Sequence, residues 1–173
     1  MNSRSTRAAM VAAGLLAIMA APGFAQESKL LASEGDWSSF GGQSPKECWA
    51  VSPPKSSRAT RDGSEVEVTR SDIRLYVAYR PGSEGEVSFQ GGYPFASDST
   101  VDVDIGGSKF KLFTEGENAW AGSPAEDKKV IAALRGGSNA VITGRSARGT
   151  TTTDTFSLAG ITAMTNKARE TCK

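Results

Sequence analysis

The sequence predicts a mainly β domain, an antiparallel sandwich-like fold with one short internal helix and one C-terminal helix. Three observations carry this. Short runs alternate apolar and polar side chains. Glycine, proline, asparagine and aspartate mark turns between these runs at intervals of roughly 8–12 residues. Helical spacing occurs twice only, once after Ser123 and once at the C-terminal end.

The chain has 173 residues, and its first 25 read as an export signal. Arg4 and Arg7 are basic, Ala8 to Ala21 are apolar or small, and Pro22-Gly23 break the run. Gly23-Phe24-Ala25 supplies small residues for cleavage after Ala25. The apolar run of about 14 residues is shorter than the ~20 that a bilayer requires. No later segment is apolar enough to span a membrane. The expected location is the periplasm, the medium or the outer membrane surface.

Residues 26–36 are polar and aperiodic and read as a flexible leader. Residues 37–173 then form one domain, large enough to bury ~70% of its unfolded surface. Trp37 to Phe40 reads as a short first strand. Cys48-Trp49-Ala50-Val51 is a strand covered on both faces, ended by Pro53-Pro54. Lys55 to Gly63 reads as a solvated basic loop containing Lys55, Arg58 and Arg61, with a local anion or partner contact as the alternative. Val66 and Val68 alternate with Glu65 and Glu67 as a strand. Ile73, Leu75, Val77 and Tyr79 form the inner face of the next, with Arg74, Tyr76 and Arg80 facing out. Val87 and Phe89 follow, and Gly91-Gly92-Tyr93-Pro94-Phe95 is a bend bearing two aromatic rings.

Thr100 to Thr114 predicts a hairpin around Gly106-Gly107, a two-residue turn that sets the register. Asp104 then faces Lys109, Asp102 faces Lys111, and Val103 faces Phe110. Ser123-Pro124-Ala125-Glu126 is a capping box opening a helix of about three turns, stopped by Gly136-Gly137. Ala140 to Gly144 and Thr151 to Leu158 are two more strands. Thr162 to Cys172 closes the chain as a helix, with Met164, Ala168 and Cys172 on its apolar face.

The two cysteines, Cys48 and Cys172, are expected to form one disulfide in an oxidising compartment; two free thiols are the alternative. Closing a loop of about 120 residues stabilises by up to ~4–5 kcal/mol in the chain-entropy account. Removing Arg4 and Arg7 from the 20 basic residues leaves 18 against 19 acidic ones. No basic excess remains to drive nucleic-acid binding. With no histidine anywhere, Ser-His-Asp and Cys-His catalysis and imidazole metal sites are excluded. No catalytic, metal or cofactor motif is present. Glu115, Glu117 and Asp127 read as ordinary surface carboxylates.

The best candidate contact surface is the outward stripe Arg74, Tyr76 and Arg80, since tyrosine and arginine carry interfaces. Tyr93 and Phe95, on the Gly91–Phe95 bend, are further candidates. Arg145 and Arg148 sit at a hairpin tip suited to gripping a phosphate or carboxylate. Trp49 and Trp120 read as core, and Trp37 is unassigned. Arg70-Ser71-Asp72 lacks the glycine of an integrin-type Arg-Gly-Asp tripeptide.

The order of several short stretches resembles the invasion-associated locus B family of alphaproteobacterial exported proteins. They are Ser44-Pro45-Lys46-Glu47-Cys48-Trp49, Asp72-Ile73-Arg74-Leu75 with Arg80-Pro81-Gly82, and Gly92-Tyr93-Pro94-Phe95. Lys111-Leu112-Phe113-Thr114, Ala119-Trp120-Ala121, Arg148-Gly149-Thr150 and Thr153 to Gly160 follow, and then Cys172. The resemblance implies an envelope or secreted location and, for pathogenic members, a part in host-cell invasion. It brings no catalytic residues. The expected function is non-enzymatic binding of a protein or glycan. The alternatives are an envelope-stress or inhibitor protein, and a histidine-free cell-wall glycoside hydrolase using two carboxylates.

Overall fold

The computed structural model describes residues 28–44 and 46–173; the export signal and its cleavage site lie outside them. Among the described residues twelve strands form one antiparallel sheet, accompanied by two helices. In chain order they are β1 (Lys29–Glu34), β2 (Trp37–Gln43), β3 (Lys46–Ser52), β4 (Ser56–Arg61) and β5 (Ser64–Glu65). Next come β6 (Arg74–Tyr79), β7 (Glu86–Gln90), β8 (Thr100–Ile105), β9 (Ser108–Glu115) and β10 (Asn118–Trp120). Helix α1 (Pro124–Gly136), β11 (Asn139–Arg145), β12 (Thr151–Ser157) and α2 (Ile161–Thr171) complete the chain.

The strand order is β1-β2-β3-β6-β7-β10-β9-β8-β11-β12-β4-β5. The sandwich-like packing arises inside this single sheet, which curls until distant strands meet. Phe89 of β7 and Phe156 of β12 are five places apart in that order. Their rings nevertheless meet edge to face, with centroids 6.1 Å apart. The enclosed face holds Leu75, Val77, Tyr79, Val87, Val101, Leu112 and Ile142, all buried. Helix α2 closes the β1–β3 side with Met164 and Ala168, and the Cys48–Cys172 disulfide fastens it there with a Cα–Cα distance of 5.7 Å.

The hairpin register is Asp104–Lys109, Asp102–Lys111 and Val103–Phe110, with Gly106 and Gly107 at φ 58° and 91°. Both charged pairs close, at 2.9 and 2.6 Å. Ser123 caps α1 by accepting from the Glu126 amide, while the Glu126 carboxylate accepts from Gly122 N at 2.9 Å.

Four expectations are corrected. The leader stretch is a strand from Lys29, paired along β2. Lys55–Gly63 is mostly strand β4, because its backbone pairs with β12 although only Ala59 points inward. Val66 to Val68, expected to continue a strand from Glu65, is irregular, as is the chain on to Arg70. It leaves the ladder after one bond from Val66 N to Ala59 O, and Arg70 turns into the interior. The expectation of Trp49 and Trp120 in the core is the fourth correction. Trp37 is core, held by its Nε1 donating to Ser157 O at 2.9 Å, whereas Trp49 and Trp120 lie on the outer face.

Candidate functional site

Strand pairing places one row of side chains across the outer face. Directly opposed residues share a face, so Val51 (β3), Tyr76 (β6), Ser88 (β7), Trp120 (β10) and Phe113 (β9) stand side by side. Phe40 and Trp49 lie one row along and are paired in register. Their rings stack at 6.0 Å, and those of Phe113 and Trp120 at 5.8 Å. Both helices lie elsewhere: α2 against β1–β3 and β6 on the enclosed side, and α1 against β7 and α2. Phe113 remains 48% exposed, and Phe40, Trp49, Tyr76 and Trp120 are half-buried.

Tyr76 stands in this row between Val51 and Ser88. Its phenol meets Gln90 Oε1 at 3.3 Å, and burial pushes its ionisation upward. Arg74 at the start of β6 and Arg80 just beyond its end flank it but are occupied. Arg74 bridges Asp72 at 3.3 Å, and Arg80 bridges Glu47 at 2.6 Å and Glu86 at 3.3 Å. These arginines frame the aromatic row and add little attraction of their own, since exposed pairs are weak and already neutralised.

Phe95 is corrected as a contact residue. It is 7% exposed and packs against Phe89 and Tyr93, with a Phe95–Ser146 bridge holding its backbone. Tyr93 is half-buried, its hydroxyl 2.6 Å from Thr152 Oγ1 and its ring beneath the Arg70 guanidinium at 5.0 Å. Burial holds the Tyr93 phenol above its ordinary value.

Tyr93 also belongs to a second feature, a cleft of about 550 Å³ where strand ends converge. The 67–71 segment, the Gly92–Pro94 bend, the Glu117 turn and the β11–β12 tip line it. Arg148 lies on that tip and is exposed. Arg145 is exposed on β11 outside the lining, so the structure does not bring the two arginines together in this cleft. Arg61 reaches across to Thr150, with Nε and Nη2 donating to Oγ1 at 3.1 and 2.7 Å.

Arg70, which lines the cleft, is held in an ion pair with the buried Asp154. Arg70 Nη1 and Nη2 donate to the two Asp154 oxygens, each at 2.7 Å, and Nε and Nη2 donate to Gly91 O. The two side chains are 7% and 0% exposed. Sequence reasoning missed the pairing of Arg70 with Asp154, because the two lie in separate stretches with no local signal joining them; Arg61 belongs to the basic 55–63 stretch whose alternative reading is an anion or partner contact. Arg70, wholly engaged, is no part of an adhesive tripeptide. Among the described residues no group of histidine, cysteine, aspartate or glutamate is arranged to hold a metal ion.

The architecture is a curled antiparallel sheet stapled by a disulfide, with an aromatic face outside and a polar cleft at its strand ends. A solved structure, invasion associated protein B from Bartonella henselae, shares this fold. It aligns over 79% of this chain and 94% of that one, at 16% identity and a TM-score of 0.54. The profile of the Invasion associated locus B (IalB) protein family matches residues 58–169, and the chain belongs to that family. No curated protein sequence matches it. The disulfide fits an exported protein, and among the described residues no helix is long and apolar enough to cross a membrane.

Proposed function

We propose that this chain is a non-enzymatic envelope or secreted protein that binds another macromolecule through its outer aromatic face. The carrying observation is the uncovered row Val51–Tyr76–Ser88–Trp120–Phe113, with Phe40 and Trp49 beside it. Aromatic rings on a rigid sheet supply large contact area at low conformational cost, and interface cores are enriched in them. The arginine–glutamate pairs at Arg80 form a polar rim. A protein surface suits this combination better than a glycan, because two of the ring pairs already stack on one another. The names of the family and of the Bartonella protein connect the fold with invasion. For this chain the reading is the underlying act, adhesion at the periplasmic or outer surface after removal of the signal near Ala25.

The test is retention of a partner from envelope and host-surface fractions on immobilised protein, with Tyr76→Ala and Trp120→Ala as comparisons. Loss in both supports the face. Equal retention by wild type and both variants rejects it.

A second reading has one observation in its favour: Glu67 and Glu117 both line the strand-end cleft, as a two-carboxylate glycoside hydrolase would require. Release of reducing ends from cell-wall polysaccharide by wild type, abolished in Glu67→Gln and Glu117→Gln, would favour it over adhesion.

A further inference from the structure

We infer that the strand-end cleft binds a small carboxylate that also carries O–H or N–H donors, an acidic sugar or an amino acid, with Arg61 and Arg148 holding its carboxylate. The site is separate from the outer face and stands without it.

Ligand sites in curled sheets form at their open ends, where loops add polar groups to a rigid wall. Here the wall is the end of β4, the β11–β12 tip and the start of β12, and the loops are those around Ser71, Tyr93 and Glu117. Among the described residues Arg58, Arg70, Arg74 and Arg80 face carboxylates, whereas Arg61, Arg135, Arg145, Arg148 and Arg169 do not. Of those five only Arg61 and Arg148 border this cleft. Two guanidinium groups unpaired beside one cavity suit a planar oxyanion, which accepts their N–H groups two at a time.

Both arginines are carried by braced backbone. Two bonds to Thr150 Oγ1 orient Arg61 and leave its Nη1 without a protein acceptor among the described residues. The Arg148 tip is tied by Ala147 N to Pro94 O, Ser146 N to Thr150 O, and Thr150 N to Ser146 Oγ, at 2.9, 2.8 and 3.1 Å. Such bracing reduces the ordering cost of binding. Arg70 does not compete, since Asp154 and Gly91 O take its donors.

The other lining charges define the rest of the ligand. Glu67 and Glu117 offer acceptors, and Glu117 already accepts from Ser71 Oγ at 3.2 Å. A phosphate or sulfate dianion would bring two or more negative charges against these carboxylates. A single carboxylate with hydroxyl or ammonium groups satisfies both signs.

The experiment is an amide-resolved NMR titration of the disulfide-intact protein. Galacturonate and alanine are the carboxylate probes; galactose and ethylamine are their counterparts lacking the carboxylate. Saturable shifts at Tyr93 and at 146–152 are expected with at least one carboxylate probe and with neither counterpart. The probe that binds identifies hydroxyl or ammonium as the second group. Arg148→Gln, on an exposed tip, keeps the fold and weakens binding by at least about tenfold, as does Arg61→Gln. Tyr76→Ala leaves it unchanged. No saturable shift with either carboxylate, equal binding of a counterpart, or undiminished binding by Arg148→Gln overturns the inference.

Discussion

Arg70 and Asp154 meet through two parallel hydrogen bonds of 2.7 Å in the interior, 84 residues apart in sequence. The pair joins the irregular 66–72 segment to β12, and its third link, to Gly91 O, reaches the end of β7. A charge pair so enclosed contributes little against an apolar replacement of both members, but each member depends on the other.

Asp154→Ala is therefore expected to lose about 3–5 kcal/mol, because Arg70 is left charged and unpaired. The double change Asp154→Leu with Arg70→Met should lose much less. Urea denaturation of the three proteins measures this, and additive losses in the double variant would contradict it.

Reduction of Cys48–Cys172 should destabilise by roughly 2–5 kcal/mol. Both cysteines are buried, at 1% and 2% exposure, so in the presence of a thiol reductant, reduction and subsequent alkylation of the native protein should await unfolding. Cys48→Ser with Cys172→Ser, melted beside the wild type with and without reductant, gives the magnitude. A melting point that ignores reductant would refute the stabilising role.

Asp127 supplies a pH dependence. It is 6% exposed, and its Oδ1 accepts from Val87 N at 2.7 Å, beyond the part of β7 that β10 pairs. Burial raises its folded-state pKa, and the Val87 bond only partly offsets this; Glu86 and Glu126 raise it further. Between its ordinary value of 3.8 and that raised value, the native state holds more proton than the unfolded state. Stability from this group is thus complete at low pH and declines as pH rises through that window. Asp127→Asn keeps an acceptor for Val87, so its stability relative to wild type should improve from acid to neutral pH. A difference that does not change with pH would contradict the assignment.

Gly160 has φ 95°, and a Cβ there would collide with the Glu34 carbonyl oxygen. Gly35 makes the reciprocal approach to Ala159 O, beside the bond from Asp36 N. Gly160→Ala should cost roughly 2–4 kcal/mol through strain and displacement of β1. Thermal melting with the β1 amide exchange pattern tests it, and a variant as stable as wild type would refute the close packing.

The elements whose signals were local could be read from the chain. Gly106-Gly107 dictated the hairpin register, Ser123 and Glu126 the helix start, and the Leu75–Val77–Tyr79 alternation the inner face of β6. Elements made by distant partners could not. β4 has one inward side chain, Ala59, and exists because β12 lies beside it. Trp49 and Trp37 are both flanked by strand-forming residues, and only tertiary bonding, Trp37 to Ser157 O, distinguishes core from surface. The cleft joins residues from 61 to 152, so no spacing in the sequence announces it.

The covalent link at Cys172 also fixes how the molecule bears tension. A pull applied between Lys29 and Lys173 enters the body one residue from its tail and leaves through Cys48, bypassing everything between. Only residues 29–47 can pay out, so in the oxidised state the extension should stop near ~65 Å, while the remaining strands carry no load. Tethered by its tail, the molecule would keep Trp49, Tyr76, Phe113 and Trp120 in place under load until the sulfur bridge is reduced, while Phe40 could pull away with β2.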